Sequence, residues 1–193
     1  MFGAFTRLTD SGLGCPDWPG CYGSASPLGA HADISAAQAA MPTGPVTHGK
    51  AWVEMIHRYL ATAVGGLIML LTASAWLRRA RRQPQPISPW WPTATLVWVL
   101  IQGAFGALTV TMKLFPAIVT LHLLGGTVLL VLLTVQATRQ TQFADDRLPE
   151  AVPRALRLQM VLVAVLVGVQ ITLGGWVSTN YAVLACNTFP QCN

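Results

Sequence analysis

Four apolar stretches divide the chain, at about 52–77, 91–112, 117–138 and 156–177, with polar connections between them. Each is long enough to cross the roughly 30 Å hydrocarbon layer of a bilayer at about 1.5 Å of rise per residue. Lipid offers no partner for backbone N–H and C=O groups, so a spanning segment must be a helix or part of a closed barrel. Runs of this length predict helices. The expected fold is therefore an all-α polytopic membrane protein, with a four-helix bundle over 52–177. The flanking segments 1–51 and 178–193 read as loops on one face, each carrying a C-x5-C pair.

Composition strengthens this reading. The chain is 53% hydrophobic and 10% charged, far from the balance of a soluble domain. Its net charge of +5 is unevenly placed. Arg78, Arg79, Arg81 and Arg82 follow the first span, and Arg139, Arg147, Arg154 and Arg157 lie between the third and fourth, whereas Arg7, Lys50, Arg58 and Lys113 fall toward the other end. The positive-inside rule places the arginine-rich loops in the cytoplasm and the cysteine loops on the periplasmic side of a bacterial inner membrane. The excess charge is thus a topology signal and no nucleic acid partner is expected. Trp52, Trp76, Trp90, Trp91 and Trp176 fall at the expected interfaces and read as an aromatic belt facing membrane lipid.

The two cysteine segments resemble one another. Cys15-Pro-Asp-Trp-Pro-Gly-Cys21 and Cys186-Asn-Thr-Phe-Pro-Gln-Cys192 lie 171 positions apart, and the same offset aligns Gly3 with Gly174, Phe5 with Trp176 and Leu13 with Leu184. This register indicates an internal duplication. It predicts a larger two-repeat membrane protein, in which a further helix precedes the first cysteine loop. Residues 1–13 lack the charged and apolar regions of a signal peptide, in keeping with that expectation. In an oxidising compartment Cys15–Cys21 and Cys186–Cys192 are expected to pair as disulfides. A redox-active pair and a metal site remain alternatives, although C-x5-C is wider than the usual C-x2-4-C of structural zinc.

Ionisable groups inside the spans carry the candidate chemistry. Glu54, His57 and Arg58 lie near the outer end of the first span and His122 near the outer end of the third. Both histidines are expected at a similar depth, about 6 to 8 Å below the interface. Two imidazoles at one level on different helices suit axial ligation of a heme iron. Hydrogen bonding to a neighbouring helix would use them equally well. Gly125 and Gly126 beside His122, and Gly65 and Gly66 below His57, would leave space for a flat macrocycle, or else serve helix packing.

Glu54 shares a helix face with His57 and would be a partly desolvated carboxylate at the edge of such a heme, able to accept or deliver protons. An ion pair with Arg58 or Lys50 is the alternative. Gln102 and Gln170, each four positions before a glycine, are read as residues of interhelical hydrogen bonding and close packing. His31 and His48, in the Gly-, Ala- and Pro-rich outer segment, receive no role.

Taken together, Thr6-Arg-Leu-Thr-Asp-Ser-Gly-Leu13 with the first cysteine loop, Glu54-Met-Ile-His-Arg-Tyr59, the segment 102–108, Leu121-His-Leu-Leu-Gly-Gly126 and Gly174-Gly-Trp-Val-Ser-Thr-Asn-Tyr181 resemble the heme A synthase family. The resemblance implies two pseudo-symmetric four-helix bundles and an oxidoreductase that oxidises the C8 methyl of heme O to the formyl of heme A for cytochrome oxidase assembly. It implies Glu54 as the catalytic acidic residue, His57 and His122 as the pair tied to the substrate heme iron, and Cys15, Cys21, Cys186 and Cys192 as the two outer cysteine pairs. Arg7 lies in the same motif block and is a candidate contact for a heme propionate. As partners it implies heme O, the heme O synthase that supplies it, an electron donor and oxidase assembly factors. A heme b is expected in the family's second half, whose histidine pair this sequence does not include. A non-catalytic di-histidine heme module, relaying electrons or carrying heme, and an inactive fragment are the competing readings.

Overall fold

The computed structural model describes residues 2–145 and 152–182. Six helices follow one another: α1 (Phe2–Leu8), α2 (His31–Ala40), α3 (His48–Ala80), α4 (Trp90–Thr111), α5 (Pro116–Ala144) and α6 (Arg154–Thr179). Helices α3 to α6 are each long and apolar enough to cross a membrane. The architecture is a polytopic helical membrane protein, and no strand occurs among the described residues.

Local chemistry sets where the helices begin and end. Thr47 caps α3, its hydroxyl accepting from the Lys50 N–H at 3.2 Å, one of the donors that a helix start otherwise leaves unpaired. Pro89 and Pro153 precede α4 and α6, and Pro116 opens α5, where the missing N–H removes a donor with no helical partner. Between α4 and α5, Lys113 and Leu114 both take left-handed backbone conformations, φ 50° and 59°. This tight reversal makes the two helices antiparallel neighbours. Both α3 and α5 run past the apolar stretches that predict them, because their arginine- and glutamine-bearing last turns continue as helix beyond the hydrocarbon.

The spans pack in sequence order, α3 on α4, α4 on α5 and α5 on α6. Polar side chains tie each neighbouring pair. Thr72 Oγ1 donates to Pro92 O at 3.0 Å and Trp76 Nε1 to Thr93 Oγ1 at 3.0 Å, joining α3 to α4. Trp91 Nε1 and Trp98 Nε1 reach Leu132 O and Gly125 O on α5 at 3.1 and 2.9 Å. Gly175 of α6 sits against Thr120 and Leu123 of α5, and the Thr120 and Thr179 hydroxyls lie 3.4 Å apart. By this alternation Arg78, Arg79, Arg139, Arg154 and Arg157 all sit at one end of the array, opposite Cys15 and Cys21. Most large apolar side chains of the spans are exposed, as expected where the surrounding solvent is lipid.

The segment before α3 is more than a loop. It holds two helices and a small core of its own, in which Cys15, Cys21, Ala30 and Ile34 pack on Ala51 and Met55 of α3, flanked by Tyr22 and Val46. Sequence pattern alone misses α1 and α2, since both are short and weakly amphipathic.

The two segments aligned by the 171-residue offset end alike in backbone, with the left-handed close that also ends α3 and α4. At the 171-residue offset, the end of α1 corresponds to the end of α6. Asp10 and Tyr181 both turn left-handed, at φ 50° and 51°. Thr9 N–H bonds Phe5 O as Asn180 N–H bonds Trp176 O, and Asp10 N–H bonds Arg7 O as Tyr181 N–H bonds Ser178 O. Even the side chains agree, Thr9 Oγ1 reaching Phe5 O at 2.8 Å and Asn180 Nδ2 reaching Trp176 O at 2.9 Å.

Candidate functional site

Helix α3 brings three charged residues to the cysteine-loop end. Lys50, Glu54 and Arg58 recur every four residues along one stripe. Lys50 Nζ pairs with Asp10 at 3.1 Å. Glu54 is buried, with 4% of its surface exposed; its Oε2 accepts from the Cys15 N–H at 2.8 Å and its Oε1 pairs with Arg58 Nη2 at 2.5 Å. A buried carboxylate persists only when so partnered. Of the two ion pairs open on the sequence, Glu54 makes the one with Arg58 and Lys50 goes elsewhere.

Arg58 does more than neutralise Glu54. Its Nη1 donates to Pro19 O at 3.2 Å and to Gly20 O. Cys15 and Cys21 form a disulfide, Cα atoms 4.9 Å apart, and both are fully buried. Within the ring so closed, the Asp17 carboxylate accepts from Tyr22 N at 2.6 Å and Gly23 N at 2.7 Å, and the Trp18–Pro19 peptide is cis. Burial and the nearby Asp33 and Asp17 carboxylates raise the Tyr22 phenol above its ordinary range. Cys186 and Cys192 lie outside the described residues.

His57 projects from α3 one residue before Arg58 and faces α1. Its ring stacks on Phe2, centroids 6.3 Å apart, and a Cβ on Gly3 would lie 3.0 Å from His57 Nε2. His122 projects from α5 toward Gly106 of α4, whose added Cβ would lie 3.5 Å from the ring. Its Nδ1 is buried without a hydrogen-bond partner. Among the described residues neither ring makes a hydrogen bond.

The two histidine-bearing helices do not pack backbone to backbone. No Cα of α3 comes within 8 Å of any Cα of α5, so their axes are farther apart than the 8–10 Å of ordinary packed helices. They are held apart by α4, which packs on both. Two imidazoles without hydrogen-bond partners, on helices that flank α4, have the donor chemistry of axial ligands to a metal-centred macrocycle, while Gly3 and Gly106 let the neighbouring backbones approach the rings closely. No cluster of three or more His, Cys, Asp or Glu side chains suited to a bare metal ion occurs among the described residues.

Several expectations change. Gly125 does not leave room for a macrocycle: its absent side chain is replaced by the amide of Gln102, which lies where a Cβ would be. Gly65, Gly66 and Gly126 face open space. Gln102 is buried across from Gly125 with Oε1 unpartnered, so it packs rather than bridges, and Gln170 is exposed. Arg7 already engages α6, donating to Ser178 O at 2.6 Å and Tyr181 Oη at 3.2 Å and lying 4.7 Å over the Tyr181 ring; its Nε is buried and unpartnered. His31 and His48 are ring neighbours, centroids 4.5 Å apart, with His48 Nε2 2.9 Å from Ser35 Oγ. Sequence reasoning missed the roles of Gly3, Gly106 and the carbonyl contacts of Arg58. Only the last had a readable signal, the four-residue recurrence of Lys50, Glu54 and Arg58.

Fold and site define a polytopic helical membrane protein with a buried carboxylate–guanidinium pair docked on a disulfide loop. All 193 residues match the sequence profile of a family described as cytochrome oxidase assembly protein. The chain is 42% identical over 196 residues to a heme A synthase of Shewanella oneidensis, covering 100% of this chain and 56% of that protein. It is 30% identical over 196 residues to a heme A synthase of Shouchella clausii and 28% identical over 199 residues to one of Alkalihalophilus pseudofirmus, covering 99% of this chain and 58% of each relative. No solved structure matches it. The chain belongs to the heme A synthase family, and it spans somewhat more than half the length of these relatives.

Proposed function

We propose that the protein acts in heme A biosynthesis for cytochrome oxidase assembly, as an oxidoreductase that converts heme O to heme A by oxidising the C8 methyl to a formyl group. Heme O is the substrate, entering from the lipid, with His57 and His122 as the residues that hold its iron. The observation that carries this reading is the pair of uncommitted imidazoles on α3 and α5, two helices kept more than 8 Å apart at every Cα. Each ring instead meets a glycine of a third element, Gly3 of α1 for His57 and Gly106 of α4 for His122.

The residues have distinct tasks in this scheme. His57 and His122 fix the plane and depth of the macrocycle, which aligns the reacting methyl with the protein groups around it. Dioxygen is the oxidant and a membrane electron donor supplies reducing equivalents, the iron providing the redox chemistry. Glu54 serves as proton acceptor, or stabilises positive charge developing at the methyl carbon. Arg7, with its free Nε near the end of α6, is the candidate propionate contact. The cysteine loop lies on the periplasmic face and the arginine end in the cytoplasm.

A second reading has its own support. Both Glu54 oxygens are engaged, by Cys15 and Arg58, as expected of a structural anchor in a di-histidine heme module that performs no oxidation. Pigment extraction from membranes of cells making heme O separates the two. The enzyme reading expects heme A with the unaltered protein, none with His57→Ala or His122→Ala, and a loss with Glu54→Gln at unchanged bound heme. Heme O retained without conversion by both the unaltered protein and Glu54→Gln selects the module.

A further inference from the structure

We propose that Arg58 is a positioning residue of this site, a two-sided clamp that makes the disulfide loop and the Glu54 carboxylate one rigid unit beside His57. The proposal rests on the functional reading above and goes beyond it by assigning a role to a group that touches neither heme iron nor a histidine.

The argument starts from what the guanidinium does. One terminal nitrogen, Nη2, holds Glu54 Oε1, and the other, Nη1, holds the carbonyls of Pro19 and Gly20 in the second half of the cysteine ring. Glu54 Oε2 in turn holds the Cys15 N–H, at the ring's first residue. The loop is therefore gripped at both of its strands by one ion pair. Tyr59, next along α3, adds a third hold through Ala25 O at 2.6 Å. His57 precedes Arg58, so the same helical turn fixes the imidazole and the clamp.

Only a planar, two-pronged donor can straddle the carboxylate and the loop carbonyls. A lysine at this position keeps the positive charge but carries its three donors on one nitrogen, so it cannot occupy the separate positions from which Nη2 holds Glu54 and Nη1 holds the loop. Loss of the clamp leaves a buried carboxylate with one neutral donor and frees two carbonyls. Glu54 then takes more than one orientation, which costs rate steeply where a reacting group must be held within fractions of an ångström.

The test uses the intact protein in membranes of cells making heme O, with Arg58→Lys, Arg58→Ala, Glu54→Gln and the double variant Arg58→Lys/Glu54→Gln. Three quantities are read on each: bound heme from the low-spin absorption spectrum, heme A formed per bound heme, and the rate at which a water-soluble phosphine reduces Cys15–Cys21. Arg58→Lys is expected to keep bound heme and spectrum, to lower heme A per heme at least tenfold, and to speed disulfide reduction at least tenfold. In the double-mutant cycle the reduction rates are expected to be strongly non-additive, since either single change already opens the clamp.

Normal conversion per heme in Arg58→Lys overturns the proposal. So does altered conversion with an unchanged reduction rate, or additive reduction rates. A protein damaged only in folding loses heme and conversion together, and that outcome in Arg58→Lys also overturns it; Arg58→Ala alone does not decide. If the unaltered protein forms no heme A, the functional reading has failed, while the reduction rates still decide whether the clamp exists.

Discussion

Gly14, just before the disulfide, has no freedom to gain a side chain. A Cβ there would lie 2.5 Å from Lys50 C and 2.6 Å from Lys50 O and Ala51 N, all backbone atoms in the first turn of α3. Backbone of a helix start cannot swing aside as a flexible side chain does, so Gly14→Ala must lift the loop off α3. The steric term is about 1–3 kcal/mol, as for other overpacked sites. Lifting the loop also stretches the Cys15 N–H bond to the Glu54 carboxylate, and a hydrogen bond to a charged group contributes about 1.5–3 kcal/mol. Together roughly 3–5 kcal/mol of docking energy is lost, which raises the open population of the loop by about two to nearly four orders of magnitude. Because Cys15 and Cys21 are fully buried when docked, the assay is their rate of reduction by a water-soluble phosphine under conditions where opening precedes reaction. Gly49→Ala is the internal control, since nothing lies within 4 Å of its Cβ position. It sits in the first turn of α3, where alanine favours the helix by up to about 1 kcal/mol, so its reduction rate is expected to be unchanged or slower. Equal rates in Gly14→Ala and the unaltered protein would refute the reasoning.

Asp17→Ala removes the acceptor for both Tyr22 N–H and Gly23 N–H and is expected to cost about 1–3 kcal/mol, seen as faster loop proteolysis; a protease pattern identical to the parent would count against it. In Gly125→Val the new side chain collides with Gln102 and strains the Trp98 bond to Gly125 O. A loss of about 2 kcal/mol or more between α4 and α5 is expected, measured as a lower thermal midpoint in detergent, whereas Gly126→Ala, facing open space, should leave it within experimental scatter. Gly106→Val places two further methyl groups against the His122 ring and should reduce bound heme several-fold without altering disulfide reduction; unaltered heme content would argue that α4 does not border the ligand.

The spans, their order and the end at which the arginines gather were legible, because bilayer thickness and charge placement act on whole segments rather than on single contacts. The cysteine-loop end was less so. Its core depends on Ala30, Ile34, Ala51 and Met55 meeting two half-cystines, and no periodic pattern announces contacts between a coil, a short helix and a helix start. Gly125 shows the limit most plainly. Two adjacent glycines beside a histidine read equally well as space for a ligand or for a neighbour, and only the position of Gln102 across α4 assigns Gly125 to the neighbour. The histidines and Glu54 stand out as candidates on the sequence, since titratable groups in an apolar span are few. The partners of Glu54 do not, because they come from residues up to 39 positions away, at Cys15, and long-range pairing leaves no local trace.

The matching ends of α1 and α6 also meet one another. Arg7 donates to the main-chain carbonyl of Ser178, its own counterpart at the 171-residue offset, an acceptor that any residue there would offer. The side-chain half of the junction is different: the guanidinium lies over the ring of Tyr181 and reaches its hydroxyl, where the aligned position in the first segment is Asp10. The seam is therefore polar in the sense of direction, with the cation contributed by one segment and the aromatic platform by the other.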